Sequence, residues 1–506
     1  MINVSGQTFT ANDMKDALTC AVKIKVSHEV KKKVEQSNKT LCELLKKGEK
    51  FYGVNTGFGA LSQITIDSQD QKLLQLNLVR SHCAGVGKPF DASIVRLTML
   101  LKIINLCMGY SGVSWNVVDK LCSFLNHDIL PIVPSKGSVG ASGDLAPLSH
   151  IALALIGEGD VCYQNNVGSS KKVMKELKIE PLTLGPKEGI SLINGTQVST
   201  ALAVKAVIEL EHVLKVADAA GAMSNEVCLF SRNVFTSDIH KLKKHGGQRD
   251  SAKNIWKLLK DSEIVASHLD CDEVQDPYSF RCIPQVHGAS REIFSSMRNI
   301  IENEVNSLSD NPVVFPKKSK IKSTGHFHGE IVGLAMDSLS IAASEIGAVS
   351  ERRIARMMEG VNNAIPKFFA TNPGKESGYM LAQVTAAALA SENKTLAFPA
   401  SVDSIPTSAG QEDFVAMSSW AGRKLLNIID NVKSILAIEF LIAARGYEFH
   451  NPLKSGAGTK VIINVINKVL KKKENDHVLT DDINQVISLI NSENFKKTIV
   501  SKLNLL

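Results

Sequence analysis

Aromatic side chains make up only 5% of the sequence, so the interior has to be mostly aliphatic. The N-terminus, MINVSGQTFTANDMKDALTC, lacks the basic segment and apolar segment of a secretory signal. No apolar run approaches bilayer-spanning length, and the best candidate, SILAIEFLIAARGY, contains Glu439. The nine cysteines are an odd number, scattered without a CxxC pair or a metal-like spacing, which suits reduced thiols in a cytosol. A soluble, cytoplasmic chain without a membrane partner is expected. A strong charge of one sign is missing too: 58 Lys and Arg against 51 Asp and Glu leave +7 over 506 residues. The lysine clusters (Lys31 to Lys33, Lys241 to Lys244, Lys471 to Lys473) are far apart in the chain, so solvated surface is expected and no nucleic-acid stripe. With 44% hydrophobic and 22% charged residues the composition is globular, and the length exceeds what one simple core usually carries.

Proline is absent from residues 1 to 88, 187 to 276, 317 to 365 and 453 to the end. Proline costs about 3 kcal/mol inside a helix, so these tracts permit helices far above average length. TALAVKAVIELEHVLKVADAAGAM places Leu202, Ala206, Ile208, Leu210, Val213 and Val216 along one broad helical face. AMDSLSIAASEIGAVSERRIARMMEG and YMLAQVTAAALASENK are rich in Ala and Ser, which lets helices pack closely. Period-two β-branched runs are scarce. The fold class predicted is all-α, a bundle of long antiparallel helices. Prolines and glycines gather in loops at 52 to 59, 131 to 147, 181 to 197, 277 to 284, 310 to 316 and 399 to 410, where chemistry tends to sit. The expected organisation is a loop-rich catalytic part over 1–200 and a long-helix part over 201–506.

The stretch Gly137-Ser-Val-Gly-Ala-Ser-Gly-Asp144 is not a phosphate loop, because its glycines at 137, 140 and 143 satisfy neither GxxxxGK[ST] nor GxGxxG. It is not a nucleophile elbow either. The plain reading is a flexible turn before a helix starting near Leu145 and capped by Asp144. The chemical reading rests on Ala141-Ser142-Gly143. Gly143 has no Cβ, so its nitrogen can approach the carbonyl carbon of Ala141 closely. Cyclisation with loss of two waters would turn Ser142 into a dehydroalanine within an imidazolone ring, an electrophile made from the chain itself.

KGSVGASGDLAPLSH and Tyr52-Gly-Val-Asn-Thr-Gly-Phe-Gly59 resemble the aromatic amino-acid ammonia-lyases, which carry the self-made 4-methylidene-imidazol-5-one (MIO) group. The resemblance continues in family order through SHCAGVG, INGTQ, QDPYSFRCIPQ, SDNPVVF, FHGE, AQVTAAALASENK and PASVDSIPTSAGQED, and is strongest to the histidine-acting branch. It implies a mainly helical homotetramer whose active sites are each assembled from three subunits, acting on a small amino acid with no external cofactor. Ala141, Ser142 and Gly143 would form the electrophile. Tyr52 would be the base that takes the β-proton, and Tyr278 a second catalytic tyrosine. Asn194 would hold the electrophile's ring or the substrate amine; read blindly, Asn194-Gly-Thr is a glycosylation sequon. Gln275 would line the same pocket, Arg281 would clamp the substrate carboxylate and Phe327 would pack beside the electrophile. His326, His328 and Glu330 form HxHxE, but residues two apart on a helix point to different faces, and a packing role is expected with no metal.

Two positions bear on the substrate. His82 matches the histidine of lyases acting on histidine or tyrosine. Glu412 matches the acid of the histidine branch, where phenylalanine and tyrosine lyases usually carry an amide. A carboxylate accepts a hydrogen bond from imidazole N–H and stabilises the protonated ring. Conversion of L-histidine to trans-urocanate and ammonia, the first step of histidine degradation, is therefore expected; the alternatives are a tyrosine lyase or aminomutase of the same family, and a catalytically silent helical assembly. Two departures from the branch pattern stand nearby: Phe414 replaces a histidine and His326 an asparagine.

Overall fold

The computed structural model describes residues 1–268, 274–361, 364–470 and 475–506; the Lys471 to Lys473 cluster lies outside them. Among the described residues there are twenty α-helices and nine short strands, an all-α fold. The longest helices are Gln197–Val227 at 31 residues, Glu330–Met358 and Ser418–Gly446 at 29 each, and Ile283–Val305 at 23. The first two lie in the proline-free tracts. Pro284 is tolerated because it stands at the second position of its helix, where the missing N–H has no intrahelical partner to lose.

Two expectations need correction here. The Gln197–Val227 helix does not bury one face only. Leu202, Ala206, Leu210, Val213 and Val216 are buried, but so are Ala201, Ala203, Val204 and Val207, so the helix is enclosed on nearly all sides. The Glu330–Met358 helix is long and apolar enough to cross a membrane by composition, contrary to the reading of the runs, although most of its apolar window is buried within the fold.

The chain divides into two compact units, each drawn from three stretches: Met1–Ile208, Arg298–Asp337 and Pro399–Arg423 form the first, and Glu209–Met297, Ser338–Phe398 and Lys424–Leu506 the second. The first stretch ends within the Gln197–Val227 helix, and neither unit is continuous in sequence.

Among the described residues all nine strands belong to the first unit, in four small sheets. Val86–Pro89 pairs antiparallel with Pro134–Lys136, which ties the segment after His82 to the approach of the glycine-rich loop. The second unit carries buried charge. Glu439, interior to a long apolar run, accepts from Arg353 Nε at 2.6 Å and Nη2 at 2.9 Å, and from Ser224 and Ser350. Both partners of this ion pair are fully buried, so removing either would strand a charge in the core.

Candidate active site

The first unit holds a cavity of about 570 Å³ lined by Tyr52, His82, Ser142, Asn194 and Glu412, among others. Five of the expected site residues thus share one space.

The Gln71–His82 helix supplies one wall. Leu74, Asn77, Leu78, Ser81 and His82 recur at three- and four-residue intervals, one helical face, and all of them line the cavity. His82 Nδ1 lies 2.9 Å from the carbonyl oxygen of Leu78, which can only accept, so Nδ1 carries the proton and Nε2 is the acceptor in the neutral ring. Burial pushes the His82 imidazole below its ordinary pKa, while the Leu78 carbonyl and the charge of Glu412 pull it back up.

Tyr52 sits in a turn tied at several points. The Asn55 side chain accepts from Phe51 N and donates to Glu49 O, and Gly53 N donates to Thr56 Oγ1. The Gly59 amide donates to the Tyr52 phenol oxygen at 3.1 Å. Gln75, fully buried and unremarked in the sequence, joins this turn to the helix before Asn194: its Nε2 donates to Gly53 O at 3.0 Å and its Oε1 accepts from Ile190 N at 3.0 Å.

The glycine-rich loop is clamped on both sides of the tripeptide. Met417 N donates to Val139 O at 2.7 Å and Gly329 N to Gly140 O at 3.0 Å. Beyond the tripeptide, Asp144 N donates to Gly195 O at 2.8 Å, beside a backbone bridge between Gly143 and Gly195. Gly143 has φ +74°, and a Cβ there would stand 2.3 Å from Gly195 O, so only glycine fits. Ala141 and Gly143 are buried and Ser142 is half-buried, its hydroxyl donating to Glu412 Oε1. Asp144 stands at the start of the Leu145–Leu155 helix, but the expected side-chain cap is absent. Its carboxylate accepts from Ser199 N at 2.7 Å, Ser199 Oγ at 2.8 Å and Ser138 Oγ at 2.9 Å, and so serves the first turn of the Gln197–Val227 helix instead.

Asn194 closes the short Glu188–Ile193 helix, and its Oδ1 is buried with no hydrogen-bond partner. At 3% exposure it could not serve as a glycosylation acceptor. Glu412 divides its carboxylate: Oε1 meets Ser142, and Oε2 accepts from Thr407 Oγ1 at 2.8 Å and Ser408 Oγ at 3.0 Å.

The remaining site residues lie elsewhere. Gln275 and Arg281 line a separate cavity in the second unit. Tyr278, 73% exposed, carries the Arg281 guanidinium 4.8 Å over its ring. Phe327 is half-buried in the turn before Glu330. His326 and His328 share that turn, which the His328 N–Gly325 O bond closes, and Gly329 N donates to Gly140 O, so of HxHxE only Glu330 is helical. Phe414, one of the departures, stacks on His328 with ring centroids 6.1 Å apart.

Residues 9–468 match the sequence profile of the family described as aromatic amino acid lyase. The chain is 44% identical over 497 residues to a histidine ammonia-lyase of Burkholderia cenocepacia, covering 98% of each. Among solved structures it is similar to histidine ammonia-lyase from Trypanosoma cruzi (TM-score 0.91, 36% identity, covering 100% of this chain and 97% of that one). It is also similar to tyrosine aminomutase from Streptomyces globisporus (TM-score 0.93, 30% identity, 100% and 99%).

Proposed function

The chain belongs to the aromatic amino acid lyase family, and from that premise we propose that it is an ammonia-lyase that converts L-histidine to trans-urocanate and ammonia. The observation that carries this reading is Glu412, a carboxylate placed against Ser142 in the cavity that also holds His82. A carboxylate accepts from imidazole N–H and stabilises the protonated ring, whereas a phenol gains less from it. The similarity to histidine ammonia-lyases over nearly the whole chain supports the same substrate.

Ala141-Ser142-Gly143 suits the MIO group: the tripeptide is held at both ends, and Gly143 occupies a niche that a Cβ would overfill. When formed, that group supplies an electrophile able to hold the substrate amine and let ammonia depart. The chain's own residues do the rest. Tyr52, as the phenolate, takes the β-proton at its phenol oxygen, and the Gly59 amide donates to that oxygen, a bond that is strongest while the oxygen is the anionic base and weakens as the proton arrives. Asn194 Oδ1, buried and unpartnered, accepts from the amine. His82 and Glu412 orient the imidazole.

Gln275, Tyr278 and Arg281 reach the cavity from neighbouring copies in a homotetramer, and Phe327 packs beside the Ala141-Ser142-Gly143 tripeptide. The exposure of Tyr278 and the separate placement of its neighbours support that sharing. Arg281 then clamps the substrate carboxylate in the bidentate geometry that a guanidinium favours. The test is to incubate the purified protein with L-histidine and follow urocanate absorbance. Steady urocanate release is expected; turnover of tyrosine without histidine would place the enzyme in the other branch of the family.

A further inference from the structure

Two lysines are buried near Asn194. Lys187 is paired, its Nζ 3.0 Å from Asp310 Oδ2 and 2.8 Å from Ser191 Oγ. Lys102, on the Ala92–Cys107 helix and 1% exposed, has two backbone partners: its Nζ donates to Ser191 O at 3.2 Å and to Asn194 O at 2.7 Å. These carbonyls lie at the end of the Glu188–Ile193 helix, where carbonyl groups lack intrahelical donors. Burial pushes the Lys102 ammonium down to about 7; Asp310 and Asp144 pull it up, and Lys187 adds to the depression. A charge in such a place is costly, and a packing role alone would be met by Met or Leu.

The rest of the Asn194 backbone is fixed as well. Asn194 N donates to Ile190 O at 2.8 Å, and Thr196 N donates to Ser309 Oγ at 3.0 Å. With the backbone held on every side, the Asn194 side-chain amide, whose Oδ1 has no partner, is what remains to face the cavity.

We propose that Lys102 is a positioning residue for the lyase reaction: its amino group, by holding the Ser191 and Asn194 carbonyls, aims the Asn194 side chain at the substrate amine. This rests on the histidine-lyase reading. Lys102 does not line the cavity, so it acts only through Asn194. An ammonium has three N–H donors and a neutral amine two, enough for both carbonyls, so the hold persists when Lys102 loses its proton.

The test combines Lys102→Met with Asn194→Ala in a double-mutant cycle on kcat and KM, with amide exchange of the peptide around Asn194. Lys102→Met should lower kcat by about tenfold or more, below and above neutrality alike, yet by less than about threefold in the Asn194→Ala background. The same factor in both backgrounds would overturn the proposal, because it would mark a general structural role. Exchange in the 190–197 peptide should accelerate in Lys102→Met while distant peptides stay protected; unchanged exchange there would also overturn it. That arm needs no substrate, so it stands even if histidine proves not to be turned over, whereas wild-type turnover alone tests the substrate reading. Should Lys102→Met not fold, Lys102→Arg keeps donors for both carbonyls. It should retain protection of that peptide and most of kcat, and a folded Lys102→Arg with both lost would refute the proposal.

Discussion

Glu412→Gln tests the substrate reading most sharply, because the structure divides what the carboxylate does. Oε2 serves its own loop, taking the hydroxyls of Thr407 and Ser408, while Oε1 faces Ser142 in the cavity. Glutamine keeps one acceptor oxygen, and both loop donors are hydroxyls that can rotate toward it, so the loop should survive at a cost below about 1 kcal/mol. What is lost is the charged acceptor for the imidazole. A hydrogen bond to a charged group is worth about 1.5–3 kcal/mol, so kcat/KM for L-histidine should fall about ten- to a hundredfold if that bond is made in the transition state. Any weak activity on tyrosine should be unchanged or raised, and the thermal midpoint nearly unchanged. The charge of Glu412 is also one of the influences raising the His82 pKa, so the variant should titrate His82 at lower pH than the wild type, measurable by NMR. Initial rates on both amino acids decide the matter. A loss well under tenfold with an unaltered histidine-to-tyrosine ratio would mean that Glu412 serves only the turn its Oε2 already holds.

Gly143→Ala would bring a Cβ to 2.3 Å from Gly195 O at φ +74°, a strain of about 1–3 kcal/mol before any clash is relieved. The wild-type peptide over 141 to 143 should be two waters lighter than its sequence by mass spectrometry and the variant's should not; an uncyclised peptide from active wild type would end the MIO reading. Co-assembling Tyr52→Phe subunits with Arg281→Lys subunits should restore some intact sites, and mixed oligomers without regained activity would rule out sharing. Lys102 has a folded pKa of about 7, below the ordinary lysine value near 10.4, so between those values the unfolded chain binds more protons and stability rises with pH. Lys187 shifts the same way, so Lys102→Met should show a smaller but nonzero gain in denaturant midpoint from neutral to alkaline pH, and an equal gain would contradict the burial of this charge.

The sequence by itself determined what depends on local chain chemistry. Proline-free tracts allow long helices because nothing within them breaks the backbone ladder, and Gln197–Val227 and Glu330–Met358 form there. The glycines around Ser142 mark a backbone that only glycine can follow, and the run of motifs from Tyr52 to Glu412 identifies the family. What the tertiary structure decided is which distant groups meet. Asp144 was legible as a helix cap, but its carboxylate serves Ser199, 55 residues away. Gln75, which holds Gly53, reaches Ile190 across 115 residues, and Lys102 reaches Asn194 across 92; neither carries a local pattern that announces the role. The motif QDPYSFR gave no sign that Gln275 and Arg281 would line a separate cavity from the one holding Tyr52. Helix and turn preferences act over a few residues, whereas the partner of a buried polar group is chosen by which faces pack together, and only the folded chain brings those faces into contact.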